Sequence, residues 1–416
     1  MKYFPKRYLM VLGTFMLALL VLIDRACISV AKDSITGDLA LTEKQFGWVL
    51  SIFALGYALF QTPSGILADK FGPRKVLAAV VGLWSLFTAL TGAVFNYISL
   101  LFVRFIFGAG EAGAFPGMAR AIYSWIPVKE RGIVNGINFS GGRLGVAFSL
   151  APIAWLIDKT GWRISFVILG GIGILFALLW YFLFRNDPLK HSGLSEKEKE
   201  HIKKTRQQKS SEETVPKLNI KALFASKNMW LTMGQYFASN FTFFFCLTWL
   251  YPYLKEQYAL EAVEAGWYSS LPLIAGAVGN WFSGFLVDYL YRNFGLKKSR
   301  LIPAILGFAL ASAGLVVSLY MNSAWGAVIF LSMAVFGADM TLSPSWSLCV
   351  DIGGKNSGAV SGTMNMAGNI GSFVTALAFP YLKAWFASTT PFFFIGAALN
   401  ILAIVLWLNI KPEKAI

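Results

Sequence analysis

The chain has 416 residues, of which 56% are hydrophobic and only 14% are charged, and its mean hydropathy is +0.60. Because a soluble protein of this length needs more charged side chains to cover its surface, the composition excludes an ordinary soluble domain. The net charge of +15 does not indicate a nucleic-acid partner, since most of the 36 Lys and Arg residues fall in loops on one side of the predicted membrane segments.

Apolar segments recur along the whole chain, and each is close to the roughly 20 residues that a helix needs to cross a bilayer. They predict an all-α integral membrane protein with twelve transmembrane helices. The predicted spans are 7–30, 44–68, 74–95, 98–124, 132–157, 163–185, 228–254, 264–289, 300–320, 325–349, 357–382 and 391–410.

These spans divide the chain into an N-terminal six-helix bundle (1–185), a cytoplasmic linker (186–227) and a C-terminal six-helix bundle (228–416). The even number of spans and the basic loops on one side predict that both termini lie in the cytoplasm. We therefore expect a multi-pass protein of the bacterial inner membrane.

Two segments of the first half are repeated in the second half. Residues 47–69 align without a gap to residues 266–288, and residues 132–145 align to residues 358–371. These pairs join span 2 to span 8 and span 5 to span 11, in the order that a duplication of six spans requires. Two repeated halves with a site between them are typical of transporters.

Five charged residues lie inside predicted spans of the first half, namely Asp24 and Arg25 on span 1, Arg104 and Glu111 on span 4, and Arg143 on span 5. A charged side chain at mid-membrane costs at least about 2.5–3.5 kcal/mol by insertion scales, so each needs a partner or a function. Guanidinium groups bind carboxylates, and a buried carboxylate can take up and release a proton. The cluster predicts an anionic substrate and a proton. The alternatives are that the charges only neutralise one another, and that Arg143 lines a pore without contacting substrate.

The segment GILADKFGPRK, residues 65–75, follows span 2 and resembles the G-x-L-A-D-[RK]-x-G-[RP]-[RK]-[RK] signature of the major facilitator superfamily. A degenerate copy in the second half ends at Asp288. The resemblance implies a major facilitator fold of two pseudo-symmetric six-helix bundles. It also implies that Gly65, Asp69 and Arg74 form a conformational latch and do not contact substrate.

Three further motifs resemble one family within that superfamily, the anion:cation symporters. Residues 23–26 (Ile-Asp-Arg-Ala) resemble span 1 of its galactonate, hexuronate and glucarate permeases and of sialin-type carriers. Residues 104–116 look like its span-4 signature R-x6-E-A-x-x-F-P, and residues 247–252 (LTWLYP) are similar to its span 7. The likeness covers nearly the whole chain.

For the first half, the resemblance implies two kinds of role. Asp24 and Glu111 match the proton-titrating carboxylates of the family, and Arg104 matches a residue that restrains Glu111. Arg25 and Tyr57 match positions that bind the carboxylate of the substrate.

For the second half, Ser343, Trp346 and Asn365 match positions that face the polar end of a sugar acid. Neutral polar groups suit hydroxyls, although they can also form hydrogen bonds between helices without touching a ligand. This chain departs from the family at Arg143, which follows a glycine where galactonate carriers have a glutamine, and at Asp339, which replaces a neutral polar residue. Asp339 therefore has two open interpretations, a contact with substrate or cation and a structural role.

We accordingly predict a secondary active transporter that takes up a small organic anion, a hexuronate or aldonate, by proton symport. The alternative is an exporter or antiporter of another anionic compound, such as a siderophore or drug. An enzyme is not expected, because the spans hold no constellation of His, Cys and Asp residues. The expected partners are the anion, protons and the lipid bilayer. We expect a monomer with no cofactor, no metal ion and no nucleic-acid partner.

Overall fold

The structure is a computed structural model, and it describes residues 7–205, 220–260 and 262–414. These residues form helices and connecting segments, with no strand among them. Residues 206–219 of the predicted linker and both chain ends lie outside the described ranges.

The described residues form two compact units. The first is drawn from Met1–Val128, Gly141–Leu218 and Gly353–Thr363, and the second from Lys129–Ser140, Asn219–Ile352 and Met364–Ile416. Each unit thus takes one short segment from the opposite half of the sequence. The division of the sequence at residues 186 and 228 stays a prediction.

The first unit contains α1 (Arg7–Val30), α2 (Lys32–Asp38), α3 (Glu43–Phe71), α4 (Pro73–Thr91), α5 (Tyr97–Glu111), α6 (Ala114–Trp125), most of α7 (Arg131–Leu183) and α8 (Glu196–Thr205). The second unit contains α9 (Ile220–Ala225), α10 (Lys227–Thr248), α11 (Leu250–Gln257), α12 (Ala262–Ser318), α13 (Ala324–Met340), most of α14 (Leu342–Gly353), most of α15 (Ser357–Phe386) and α16 (Thr390–Asn409).

The two longest helices each correspond to two predicted spans. Helix α7 has 53 residues and contains Gly161 with φ 77°, while α12 has 57 residues and contains Gly295 with φ 82°. Glycine adopts this left-handed backbone conformation without the steric penalty of a Cβ atom. The chain therefore turns between consecutive spans at these glycines.

Eight segments of the described chain are long and apolar enough to cross a membrane. Two of them, Trp267–Ser318 with 52 residues and Ala324–Phe386 with 63, are far longer than one crossing requires, and each covers two predicted spans. Helix is present at all twelve predicted positions. The all-α membrane fold is confirmed.

Predicted spans 4 and 10 are interrupted in the structure. In span 4, α5 ends at Glu111 and α6 begins at Ala114; in span 10, α13 ends at Met340 and α14 begins at Leu342. Because these breaks occupy equivalent places in the two halves, they extend the repeat that the sequence shows. Ala112, Gly113 and Thr341 keep right-handed helical backbone angles, so each interruption is a local loss of helical hydrogen bonds and not an unwound segment.

Candidate functional site

Four charged residues of the first unit meet where α1, α3, α4 and α5 pack together, namely Asp24, Arg25, Arg104 and Glu111. A Cβ atom on Gly56 of α3 or on Gly108 of α5 would collide with the backbone of the other helix. A Cβ on Gly110 would lie 3.2 Å from the backbone nitrogen of Trp84 on α4. Small residues of this kind let helices approach closely in a membrane, and they bring the polar residues of α5 against both neighbours.

Arg25 and Glu111 form an ion pair in this cluster. Arg25 Nε donates to Glu111 Oε1 over 2.6 Å, and Arg25 Nη2 contacts the same oxygen. The guanidinium lies 4.4 Å from the ring centre of Tyr57 and 5.2 Å from that of Phe53, and Tyr57 is also hydrogen-bonded to Gln61. The Arg25 side chain is 24% exposed whereas that of Glu111 is fully buried. Arg25 is therefore the member of the pair that a ligand can reach.

The second carboxylate of the cluster, Asp24, is held by a tryptophan. Trp84 Nε1 donates to Asp24 Oδ2 over 2.9 Å, and both side chains are buried. Sequence reasoning missed Trp84, because a tryptophan in an otherwise apolar span has no feature that distinguishes an inward-facing indole from a lipid-facing one.

Arg104 is buried between aromatic rings. Its guanidinium lies 4.5 Å from the ring centre of Phe107 and 5.0 Å from that of Phe53, within the range of cation–π attraction. The resemblance implied that Arg104 restrains Glu111, but the ion pair of Glu111 is made with Arg25. The role of Arg104 in restraining Glu111 stays a prediction.

Arg143 lies on α7, where this helix packs against α1. Cβ atoms on the neighbouring Gly141 and Gly142 would contact Phe15 and Leu22, at 2.8 and 3.3 Å. Arg143 itself is half-buried. The structure thus places Arg143 beside the helix that carries Asp24 and Arg25, and its role in binding stays a prediction.

An aromatic pair marks the second unit. Trp346 Nε1 donates to the Tyr236 hydroxyl over 2.9 Å, and the Phe139 ring centre lies 5.3 Å from that of Trp346. Ser343, nearly one turn before Trp346 on α14, is fully buried, and its hydroxyl has no hydrogen-bond partner within the part of the chain that the structure describes. Tyr236 was missed by the sequence reasoning, since tyrosines are common in spans.

Asn365 lies on α15, which contacts α14 through Met364 and Cys349, whose sulfur atoms are 3.3 Å apart. Asn365 is buried, and its backbone carbonyl accepts a hydrogen bond of 2.8 Å from Asn369. Asn365 thus lies on the helix next to the one that carries Ser343 and Trp346, and its role in binding stays a prediction.

Asp339 is buried at the end of α13 and contacts α12. Asn280 Nδ2 donates to Asp339 Oδ2 over 3.2 Å, and a Cβ on Gly276 would collide with the same carboxylate oxygen. The carboxylate thus fits against a glycine of the adjacent helix. This arrangement favours the structural interpretation of Asp339 over a contact with substrate.

Two of the three predicted latch residues meet in the first unit. Asp69 accepts hydrogen bonds from the backbone N–H groups of Gly358 (2.9 Å) and Ala359 (2.8 Å), at the start of α15, and Arg120 Nε lies 3.6 Å from it. Gly65 packs directly on the backbone of Gly358. An acidic side chain at a helix N-terminus satisfies unpaired N–H groups and the helix dipole.

Arg74 does not join Asp69 and Gly65. Its Nε donates to the Tyr181 carbonyl over 2.7 Å, its guanidinium lies 4.6 Å from the Tyr181 ring centre, and its backbone N–H donates to Asn186. Arg74 therefore ties the start of α4 to the end of α7.

The degenerate copy of the motif makes the equivalent contact in the second unit. Asp288 accepts hydrogen bonds from the backbone N–H groups of Gly132 and Ile133, each over 2.9 Å, at the start of α7. The sequence repeat between residues 132–145 and 358–371 thus corresponds to two capped helix starts.

Comparison with known proteins relates this chain to transporters. Residues 14–376 match the model of the Major Facilitator Superfamily. The chain is 35% identical over 395 residues to the probable sulfoacetate transporter SauU of Cupriavidus necator, covering 94% of this chain and 91% of that protein. It is 33% identical over 394 residues to the probable galactarate/D-glucarate transporter GarP of Escherichia coli, covering 90% and 88%. It is 30% identical over 402 residues to an Escherichia coli D-galactonate transporter, covering 94% and 93%.

Among solved structures, the proton:xylose symporter XylE superposes with a TM-score of 0.75 at 16% identity, covering 98% of this chain and 96% of that chain. At this identity, the likeness shows the shared fold.

Proposed function

Because this chain belongs to the Major Facilitator Superfamily and is a transporter of organic anions, we propose that it takes up a small organic acid together with protons. The observation that carries the proposal is the ion pair between the partly exposed Arg25 and the buried Glu111, beside a second buried carboxylate, Asp24.

Arg25 is the group that binds the carboxylate of the substrate. Its guanidinium is partly exposed and lies beside the rings of Tyr57 and Phe53, so its N–H groups are positioned before substrate arrives. In the ion pair, Glu111 occupies some of the N–H donors of that guanidinium. Protonation of Glu111 removes its charge, so the guanidinium becomes available to another anion. Proton binding and anion binding therefore favour each other, as symport requires.

The formal charges of the cluster suggest a rule for the number of protons. Arg25 and Arg104 balance Asp24 and Glu111 when both carboxylates are ionised. Uptake of one proton leaves the cluster with one positive charge, which a monoanion neutralises. Uptake of two protons leaves two positive charges, which a dianion neutralises. Because net charge is expensive inside a membrane, we propose that the number of protons follows the charge of the substrate.

The substrate class is a sugar acid or a related small acid. The sequence favours a hexuronate or aldonate, and the named substrates of the relatives include an aldonate, sugar diacids and a sulfonated acid. We propose that Arg25 and Tyr57 bind the acidic group while Ser343, Trp346 and Asn365 bind hydroxyls. These three residues are uncharged and buried, which suits hydrogen bonds to a polyol.

Uptake into proteoliposomes tests the proposal. Galacturonate, gluconate, galactarate and sulfoacetate should be assayed with an inside-alkaline pH gradient. We expect the gradient to accelerate and concentrate at least one of these acids, and a protonophore to abolish the effect. Stimulation by an inside-acid gradient would support the antiport alternative, and no gradient-stimulated uptake of any organic acid would exclude symport.

We further propose that the protein lies in the bacterial inner membrane with both termini in the cytoplasm. The Lys and Arg residues of the loops, most of which fall on one side of the predicted spans, favour this location and orientation. A reporter that is active only in the cytoplasm, fused after residue 416, should be active. A periplasmic reporter at the same place should be silent.

A further inference from the structure

Trp84 is the one neutral hydrogen-bond donor that the structure shows on either proton-coupling carboxylate within the described residues. Its Nε1 donates to Asp24 Oδ2 over 2.9 Å, from the middle of α4 to α1. Trp84 is fully buried and Asp24 nearly so. The geometry is that of a strong hydrogen bond in a site with little access to water.

An indole N–H can only donate, and it does not titrate. It therefore stabilises the ionised carboxylate more than the protonated carboxyl group, at every pH. Without this donor, an ionised Asp24 would be less well compensated, and the residue would keep its proton to a higher pH.

Other groups also act on Asp24. The titratable and charged side chains around it are Arg25 and Cys27 on its own helix, Arg104 and Glu111 on α5, and Arg143 on the adjacent α7. Under the proposed function, Glu111 and Arg25 change charge or partner during transport. The Trp84 donor carries no charge and stays constant while they do so.

The position of Trp84 is fixed by the helix that carries Glu111. A Cβ on Gly110 would lie 3.2 Å from the Trp84 backbone nitrogen and 3.3 Å from the Leu83 side chain. The absence of a side chain at Gly110 thus lets α4 approach α5 one residue before Glu111. Trp84 therefore links the two carboxylates mechanically, because its backbone touches the helix of one and its indole holds the other.

We propose that Trp84 is a positioning residue for Asp24, and that its indole N–H sets the pH range over which the transporter loads and releases its proton. The proposal rests on the proposed function, since it assigns a role to Asp24 in proton coupling. It adds a residue that none of the motifs includes.

Replacing Trp84 with phenylalanine removes the donor and keeps an aromatic ring. We expect the pH of half-maximal uptake to move upward by about one pH unit, the size that loss of a hydrogen bond to a charged group implies. A merely structural role would lower uptake at all pH values and leave this midpoint unchanged.

Trp162 provides a matched control in the same unit. Its Nε1 donates to Asp38 Oδ2 over 3.1 Å, but Asp38 is exposed and also pairs with Arg163. Trp162→Phe thus removes the same type of hydrogen bond outside the cluster, and it should leave the midpoint where it is in the wild type. An equal shift in both variants would overturn the proposal.

A second measurement needs neither transport nor a change at Trp84. Tryptophan emission of the purified protein should change with pH as Asp24 titrates, and this change should be absent in Asp24→Asn and retained in Trp162→Phe. An identical pH response in the wild type and Asp24→Asn would overturn the proposal.

The two measurements separate this inference from the proposed function. If wild-type uptake is not driven by a pH gradient, symport is rejected and the emission titration alone decides whether Trp84 senses Asp24. If uptake is proton-driven but Trp84→Phe has the wild-type midpoint, symport stands and the role of Trp84 is rejected.

Discussion

Arg25 Nε donates to Glu111 Oε1 over 2.6 Å, so the guanidinium proposed to bind substrate is paired, in the structure, with a carboxylate proposed to carry a proton. The pairing suggests why the two functions are coupled. Under the proposed function, an anion and an ionised Glu111 compete for the guanidinium group of Arg25, and protonation of Glu111 decides the competition. Several consequences of this competition are measurable.

Glu111→Gln should abolish concentrative uptake while it preserves exchange of internal for external substrate. Glutamine keeps the shape of the side chain but cannot release a proton, so the substrate can still be carried and the gradient can no longer drive it. Gradient-driven uptake and counterflow in proteoliposomes measure the two activities.

Glu256→Gln is the control for this variant, because Glu256 is exposed and pairs with Lys383. It should retain both activities. Concentrative uptake by Glu111→Gln at the wild-type level would show that Glu111 does not carry the proton.

Arg25→Lys should raise the KM for uptake by at least about tenfold, since an ammonium group lacks the bidentate fork that charge-assisted binding of a carboxylate uses. The measurement is the concentration dependence of uptake at saturating proton gradient. Arg163→Lys serves for comparison, because Arg163 also pairs with an aspartate and lies 4.3 Å from an aromatic ring centre, but is more exposed. A similar KM for Arg25→Lys and the wild type would show that the carboxylate of the substrate does not bind at Arg25.

How much of this cluster the sequence predicts depends on the kind of residue. Charges are rare in spans, so Asp24, Arg25, Arg104 and Glu111 are visible in the sequence. Spacing along one helix places Arg104 and Glu111 on one face, but the rotation of α1 against α5 decides that Glu111 pairs with Arg25. Trp84 was not predicted, because its function depends on which way its indole points.

The backbone is predicted in outline. Hydropathy predicts helices at twelve positions, and the repeat of residues 47–69 at 266–288 identifies the two halves. The interruptions after Glu111 and after Met340 were not predicted, although the sequence carries a signal for both. Pro116 and Pro344 each stand at the third residue of the helix that follows, where the missing N–H removes a helical hydrogen bond to the carbonyl four residues earlier.

Tyr236→Phe should reduce the preference for hydroxylated acids. It removes the hydroxyl that accepts from Trp346 Nε1, so the indole is no longer oriented. We expect the KM for gluconate to rise several-fold and the KM for an acid without hydroxyls, such as sulfoacetate, to change little.

Tyr258→Phe is a suitable control for this substitution, because the Tyr258 hydroxyl donates to the Met321 carbonyl rather than to Trp346. An equal rise in KM for both acids in Tyr236→Phe would indicate a general loss of packing instead of lost recognition.

Asp69→Ala should lower the free energy of unfolding by about 1–2 kcal/mol, the usual value of a helix N-terminal cap, because two backbone N–H groups at the start of α15 lose their acceptor. It should also reduce the maximal uptake rate more than it changes KM, as expected of a latch that does not touch substrate. Thermal unfolding in detergent and uptake kinetics measure the two effects.

Asp187→Ala removes a cap from a short 3-10 helix, where Asp187 accepts from the Leu189 N–H over 3.1 Å, and it should leave the maximal rate unchanged. A raised KM with an unchanged maximal rate in Asp69→Ala would argue for substrate contact at Asp69.

The central claim, that anion and proton move together, is tested most directly by proton flux. Substrate should be added outside weakly buffered proteoliposomes that hold the wild-type protein, with external pH and substrate uptake recorded together. We predict that the medium becomes alkaline as substrate enters, with about one proton taken up per anionic charge, and that Glu111→Gln takes up about one proton fewer per substrate than the wild type. Uptake of substrate without alkalinisation of the medium would contradict the account.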